Sequence, residues 1–151
     1  MQNKFTQKAQ NVLNYALQYA AEMGHTYIGS EHLLLGLCKE QNGVAAHYLK
    51  ERGADTEKIK NAIIQMAGIG APSALSAADM TPRTKSIIQT SLTEAQKSNR
   101  EVIGTEHLLA ALLGEQDCVA VKILESMDVS IPELKSDLSS YLGSSIGGEK
   151  N

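Results

Sequence analysis

The sequence contains no tryptophan and only one phenylalanine among its 151 residues. Aromatic residues make up 4% of the chain while hydrophobic residues make up 42%, so the interior has to be built mainly from aliphatic side chains. A chain of this length is long enough to bury a substantial core. A core of leucine, isoleucine, valine and alanine suits helices, and we predict an all-α protein.

Neither sign of charge is in large excess. Lys and Arg total 14 against 17 for Asp and Glu, which gives a net charge of −3. Broad, non-specific binding to nucleic acid requires clustered positive charge that releases counterions from the phosphates. The composition therefore argues against nucleic acid as a partner.

Long apolar runs are also missing from the chain. The first residues lack the apolar core of a secretory signal, and no segment approaches the run of about 18 apolar residues that a membrane-spanning helix needs. These absences predict a cytoplasmic chain without membrane contact. Its two cysteines, Cys38 and Cys118, are then expected to be reduced thiols rather than a disulfide.

What the sequence does contain is an internal repeat. Residues 28–37 return with few changes as residues 103–112, an offset of 75 positions. The same offset aligns Thr6 with Thr81 without a gap. The chain therefore contains two copies of one structural unit, and any site in the first copy is expected to have an equivalent in the second.

The first helix of each copy is predicted from its start signal. Thr6 and Thr81 each precede an apolar stripe with helical spacing, and a threonine hydroxyl can accept a hydrogen bond from a first-turn N–H. Pro82 suits the first helical position, where no N–H is needed. We predict helices over about 6–23 and 81–98.

The second and third helices follow after short connections. Ser30 and Thr105 are predicted to be the N-caps of a strongly apolar second helix, the most buried element of each copy. Asn42 and Asp117 are predicted to cap a short third helix. These assignments depend only on local sequence.

A fourth helix is predicted over about 56–66 and 131–142, with Asp55 and Ser130 as N-caps. Each copy is then a unit of four helices, and the fold is a tandem repeat of two such units with about eight helices. This count completes the all-α assignment.

The domain boundaries follow from the repeat and from glycine. Repeat 1 spans about 5–67 and repeat 2 about 80–142, and the segment 68–79 between them is rich in small residues and reads as a linker. Residues 144–151 are also glycine-rich and are predicted to form a flexible tail. A phosphate-binding loop in that tail is rejected because the sequence does not match the pattern, no strand precedes it and no helix follows it.

Catalytic chemistry has little support in the sequence. The recurring histidines, His32 and His107, stand near no cysteine or second histidine at metal-ligand spacing, so no metal site is predicted. We interpret them as structural residues that hydrogen-bond locally at the start of the second helix. No nucleophile and base recur together, and we predict that the chain is not an enzyme.

Glu31 and Glu106 are the candidate functional residues of the repeat. Acidic residues in a first helical turn complement the positive helix end, which is by itself reason enough for them to be there. However, each copy also presents a helix start at Thr6 or Thr81, where N–H groups can hold an anion. If the two helix starts of one copy lie close together, they form a pocket for a phosphate and a guanidinium.

Several of these residues resemble those of a known family. The Phe5-Thr6 start and the doubled Ile-Gly-Ser/Thr-Glu-His-Leu-Leu motif resemble the N-terminal domain of Clp-type AAA+ unfoldases, and the ClpC branch most closely. The similarity covers about 5–142. It implies a pseudo-twofold all-helical domain over 1–143, followed by a tail that leads to an ATPase region outside this chain.

The resemblance also implies a function. In this family the domain receives adaptor proteins and substrates without cutting them, and in ClpC-like members it binds phosphoarginine, the mark on tagged proteins. Glu31 and Glu106 would hold the guanidinium, Thr6 and Thr81 would receive the phosphate, and two aligned basic residues would add positive charge. Those basic residues are Lys8 and Arg83.

The resemblance extends to the whole parent protein. It implies a hexameric ATPase that binds ATP outside this chain and delivers substrates to the ClpP peptidase, with the isolated domain a monomer and without a cofactor. The alternative is a stand-alone accessory protein that binds a Clp complex. Met80 stands where the family has phenylalanine before Thr81, so the second copy's pocket is expected to differ from the first.

Overall fold

The computed structural model describes residues 4–143, and the predicted tail over 144–151 lies outside this range. The described part of the chain contains eight α-helices and a short 3₁₀ helix over Ala77–Asp79 in the predicted linker. The helices of repeat 1 are α1 (Gln7–Glu22), α2 (Ser30–Lys39), α3 (Val44–Glu51) and α4 (Thr56–Ala67). The helices of repeat 2 are α5 (Pro82–Lys97), α6 (Thr105–Leu113), α7 (Val119–Ser126) and α8 (Ile131–Leu142).

The all-α fold of two four-helix units is confirmed, and four of the predicted N-caps are correct. Thr6 Oγ1 accepts from Ala9 N at 3.0 Å, and Thr81 Oγ1 accepts from Thr84 N at 3.1 Å. The caps of α4 and α8 are formed by Asp55 and Ser130 in the same way. These bonds join residues about one turn apart, so sequence alone carries the information for them.

Four other predicted caps are wrong. In each case the N-cap is the sequence neighbour of the predicted residue. The N-caps of α2 and α6 are Gly29 and Gly104 in place of Ser30 and Thr105. Those of α3 and α7 are Gly43 and Cys118 in place of Asn42 and Asp117. None of these four preceding residues makes a side-chain cap bond. Other groups therefore satisfy those helix starts.

The two repeats share one hydrophobic core. Helix α2, buried from Ser30 through Cys38, packs on α1 within its repeat and on α6 and α7 of the other. Leucines of both second helices contribute fully buried side chains to this core. Because each repeat covers apolar surface of the other, the two units form a single folded body.

Candidate ligand-binding site

Each first helix starts beside the other repeat. Thr81 N donates to Ile28 O at 3.0 Å, and in the mirror-related contact Thr6 N donates to Ile103 O at 2.9 Å. The two contacts are equivalent under the 75-residue offset, and each forms an isolated parallel bridge between the segments that lead into the helices. The start of α5 therefore lies beside the start of α2, and the start of α1 beside the start of α6.

The hydroxyls of Ser30 and Thr105 cap helices of the opposite repeat. Ser30 Oγ accepts from Ala120 N in α7 at 3.2 Å, and Thr105 Oγ1 accepts from Ala45 N in α3 at 3.1 Å. Sequence reasoning made these two residues the N-caps of their own helices, but each is the first helical residue and is buried. Both hydroxyls do cap a helix, as predicted, but tertiary packing decides which helix each of them caps.

A cavity of about 340 Å³ opens next to Glu31 where the repeats meet. This volume lies near the lower end of the range for small-molecule sites, about 300–1,000 Å³, and suits a ligand the size of one long side chain. Its lining residues come from three helix starts and the segment before α2: Tyr27, Gly29, Ser30, Glu31, Thr81, Arg83, Asp117, Cys118 and Val119.

The Glu31 carboxylate is fixed at this cavity. Only 6% of Glu31 is exposed, and Tyr27 Oη donates to Glu31 Oε2 at 3.0 Å. Burial, reinforced by the negative charge of Glu31, raises the pKa of Tyr27 to about 12, so the phenol stays protonated as the donor. Gly29 leaves room for the carboxylate, because an added Cβ would collide with Glu31 Oε1.

The cavity also carries positive and further negative charge. Arg83 stands in the first turn of α5, where its side chain is 45% exposed and lies 3.8 Å from Glu115 Oε1. Asp117, just before α7, lines the same cavity. Because the starts of α5 and α7 both reach the cavity, their first-turn N–H groups add partial positive charge there.

The predicted site residues meet in a different pairing from the expected one. Glu31 was expected to work with Thr6 of its own repeat, but the cavity brings it together with Thr81 and Arg83 of the other. By the mirror-related contacts, Thr6 and Lys8 belong to the helix start beside α6, which carries Glu106. The pairing is crossed because each first helix begins against the opposite repeat.

The two copies of the site are not equivalent. Tyr27 donates to Glu31, but its counterpart in the second copy is Val102, which has no hydroxyl to donate to Glu106. Glu106 is 0% exposed, whereas Glu31 is 6% exposed and lines an open cavity. Sequence reasoning missed Tyr27 because comparison of the copies selects residues that occur in both, and this tyrosine occurs in only one.

Histidines organise the start of α2. Gly29 N donates to His32 Nδ1 at 2.9 Å, so the proton of neutral His32 is on Nε2, which lies 2.8 Å from His25 Nδ1. His25 Nε2 then donates to Gly68 O at 2.9 Å, which ties the end of α4 to this loop. Burial, and secondly the neighbouring His25, lower the pKa of His32 to about 3.

The predicted structural role of the recurring histidines is confirmed, since Gly104 N donates to His107 Nδ1 at 2.9 Å in the second copy. Cys38 and Cys118 are buried free thiols, and burial raises the pKa of Cys38 to about 12. Within residues 4–143, no group of three or more His, Cys, Asp or Glu side chains is placed to hold a metal ion. No helix in that range is long and apolar enough to cross a membrane.

Fold and site together define an all-helical tandem-repeat domain with a ligand-sized cavity where its repeats meet. The family described as Clp repeat (R) N-terminal domain matches this sequence over residues 4–106 and 79–149. The chain belongs to this family of Clp N-terminal domains.

Similar proteins include both ClpC and ClpB. The chain is 37% identical over 148 residues to the negative regulator of genetic competence ClpC/MecB of Bacillus subtilis, and 36% identical over 144 residues to the chaperone protein ClpB of Oceanobacillus iheyensis. These alignments cover 98% and 95% of this chain but 18% of each relative. The chain thus spans about a fifth of the length of these relatives.

A solved structure confirms the fold. The N-terminal domain of the chaperone ClpD from Arabidopsis thaliana matches with a TM-score of 0.77 over 93% of this chain and 96% of that chain, at 19% identity. At this identity the similarity concerns the fold alone.

Proposed function

We propose that this chain is the recognition domain of a ClpC-like ATP-dependent unfoldase, and that it receives substrates and adaptor proteins without catalysing a reaction itself. Family membership supports the general role. The parent would be a cytoplasmic hexamer that binds ATP in modules outside this chain and delivers unfolded substrates to the ClpP peptidase.

The ligand we propose for the cavity is phosphoarginine on a tagged protein. The observation that carries this proposal is the juxtaposition, across the repeats, of the Glu31 carboxylate with the α5 start at Thr81 and Arg83. A buried carboxylate accepts hydrogen bonds from a guanidinium, and a helix start with a neighbouring cation binds a phosphoryl group. Both ends of phosphoarginine therefore have a partner in one cavity.

Charge balance supports a zwitterionic ligand over a simple anion or cation. An isolated phosphate would be repelled by Glu31 and Asp117, and an isolated guanidinium would lie near Arg83. Phosphoarginine places a cation-like group and an anion a bond apart, so each charge meets its complement. The guanidinium of Arg83 lies 3.8 Å from Glu115 Oε1, which is a long and weak ion pair. A phosphoryl group would therefore compete with Glu115 for Arg83.

Two sites per chain are proposed, one at Glu31 with Thr81 and Arg83 and one at Glu106 with Thr6 and Lys8. Because Glu106 is 0% exposed, a ligand has to displace covering groups to reach it, so the second site should be weaker. Lysine in place of arginine lowers its affinity further, since an ammonium does not form the paired hydrogen bonds of a guanidinium.

Isothermal titration with free phosphoarginine tests the proposal. We expect a tighter and a weaker site on the wild-type domain, and loss of the tighter one in Glu31→Gln, with affinity there lowered at least about tenfold. Glu22→Gln is the matched control, since Glu22 is an exposed residue at the end of α1. Arginine and phosphoserine are the ligand controls, because each offers only one of the two groups.

Absence of heat for phosphoarginine on the folded wild-type domain would remove phosphoarginine from the proposal and leave the general recognition role. Equal binding by Glu31→Gln and wild type would place the ligand elsewhere. Circular dichroism of each variant confirms that the helices are intact.

A further inference from the structure

A second, mainly apolar cavity of about 170 Å³ adjoins the Glu31 cavity and shares Tyr27 with it. Its walls are helix α4 of repeat 1 and helix α7 of repeat 2, so it too exists only because the repeats are packed together. The lining residues are Tyr27, Glu31, Ile63, Met66, Ala67, Val119 and Ile123. We call this the α4–α7 groove.

The α4–α7 groove has a firm floor and an adaptable rim. Ile63 and Ile123 are 1% and 2% exposed and are anchored in the core. Met66, at the rim, is 59% exposed, and together with Ile69 it is one of the two large hydrophobic residues left exposed among residues 4–143. Water contact with a methionine is unfavourable, and its flexible thioether adapts to different apolar partners.

The two cavities are neighbours that share part of their lining. Tyr27, Glu31 and Val119 line both of them, so these three residues lie between a charged cavity and an apolar one. A peptide bound across these shared residues would place one side chain in each cavity. In an extended peptide the side chains of residues i and i+2 project to the same face.

We propose that the α4–α7 groove binds an apolar side chain located two residues from the phosphoarginine, so that the domain recognises an extended peptide and not the modified residue alone. This inference rests on the proposed function of the Glu31 cavity. Glu31 is the only charged residue among those that line the groove, which disfavours an acidic side chain at that peptide position.

Fluorescence anisotropy with two labelled pentapeptides tests the inference on the whole domain. Both carry phosphoarginine at the centre, and one has leucine while the other has serine at both positions two residues away. We expect the leucine peptide to bind about tenfold more tightly, as the burial of one aliphatic side chain predicts. A third peptide with aspartate at those positions is expected to bind most weakly.

Met66→Gln is the informative variant and Ile69→Gln its matched control. Both residues are exposed to a similar extent, at 59% and 63%, but only Met66 lines the groove. We expect Met66→Gln to reduce the advantage of the leucine peptide to about threefold or less, and Ile69→Gln to leave it unchanged. Neither substitution touches the core, so both variants should fold.

The outcomes separate the two proposals. If free phosphoarginine binds and the leucine and serine peptides bind equally, the groove inference is overturned and the Glu31 site stands. If the leucine advantage persists in Met66→Gln and falls in Ile69→Gln, the apolar contact lies outside the groove and the inference is likewise overturned. If neither free phosphoarginine nor any of the peptides binds, both proposals fail together.

Discussion

Ser30 Oγ accepts a hydrogen bond from Ala120 N at 3.2 Å, so a side chain of repeat 1 caps the first turn of α7 in repeat 2. The mirror-related bond from Ala45 N to Thr105 Oγ1 caps α3 from repeat 2. Ser30 and Thr105 are 4% and 0% exposed, and each bond reaches a backbone donor about 60 or 90 residues away in sequence. The exchanged caps therefore join the two repeats, and one of them, Ser30, also lines the cavity beside Glu31.

Ser30→Ala should destabilise the domain by about 1 kcal/mol, as the loss of a helix N-cap does. The buried Ala120 N–H is left without its acceptor, which adds to this loss. Urea unfolding followed by circular dichroism measures the change. Ser140→Ala is the control, because Ser140 is exposed on α8. Equal stability of the two variants would show that the exchanged cap contributes nothing.

Gly36→Ala should cost about 1–3 kcal/mol of unfolding free energy, the usual range for overpacking a core. A Cβ at Gly36 would lie 2.5 Å from Val12 O, so α1 and α2 would have to move apart. The equivalent position in repeat 2 is already an alanine, Ala111. In the control, Gly114→Ala, the nearest atom is 3.4 Å away, and thermal unfolding should distinguish the two variants.

The stability of the domain should fall as the pH drops from about 6.5 toward 3, because the pKa of His32 is near 3 in the folded chain against an ordinary value near 6.5. In that interval the unfolded chain binds a proton that the folded chain excludes, so protons favour unfolding. The contribution to the slope approaches about 1.4 kcal/mol per pH unit.

Urea unfolding between about pH 5 and about pH 7 measures this slope. His32→Gln should make the dependence shallower, whatever its effect on stability at neutral pH. His47→Gln is the control, since the His47 side chain is 62% exposed and its ion-pair partner Glu51 lies on the same helix. An unchanged slope in His32→Gln would contradict the assignment of the buried neutral histidine.

Tyr27→Phe should weaken phosphoarginine binding at the Glu31 site by about threefold to tenfold, because the hydroxyl that fixes the carboxylate is lost. The second site should be unaffected, since Val102 stands at the equivalent position. Titration calorimetry reads both sites in one experiment. Tyr48→Phe serves as control, because Tyr48 packs against Tyr141 and does not line the cavity.

The sequence predicted the helices well wherever the deciding contacts are local. Thr6, Thr81, Asp55 and Ser130 cap helices through bonds to residues three positions away, and the spacing of apolar residues continues through those helices. Such contacts lie within one turn of chain. The predicted bounds of the first and fourth helices accordingly fall within a residue of those in the structure.

The candidate site required more than local information. Glu31, Thr81 and Arg83 were each selected from the sequence, but the expected pairing joined Glu31 to Thr6 of its own copy. Alignment of the copies shows which residues are equivalent and does not show which copy packs on which. Tyr27 was not predicted for a related reason, because comparison of the copies selects only residues that are the same in both.

By itself, then, the sequence determined that one four-helix unit occurs twice, where the first and fourth helices of each unit start, and which glutamates and helix starts are candidates for binding. Those properties depend on hydrogen bonds and apolar spacing within a few residues. Only the tertiary structure decided that each first helix begins against the opposite repeat, as the bonds from Thr81 to Ile28 and from Thr6 to Ile103 show. The physical reason is that the apolar face of one repeat is buried by the other, so the cavity beside Glu31 forms at their junction and in neither repeat alone.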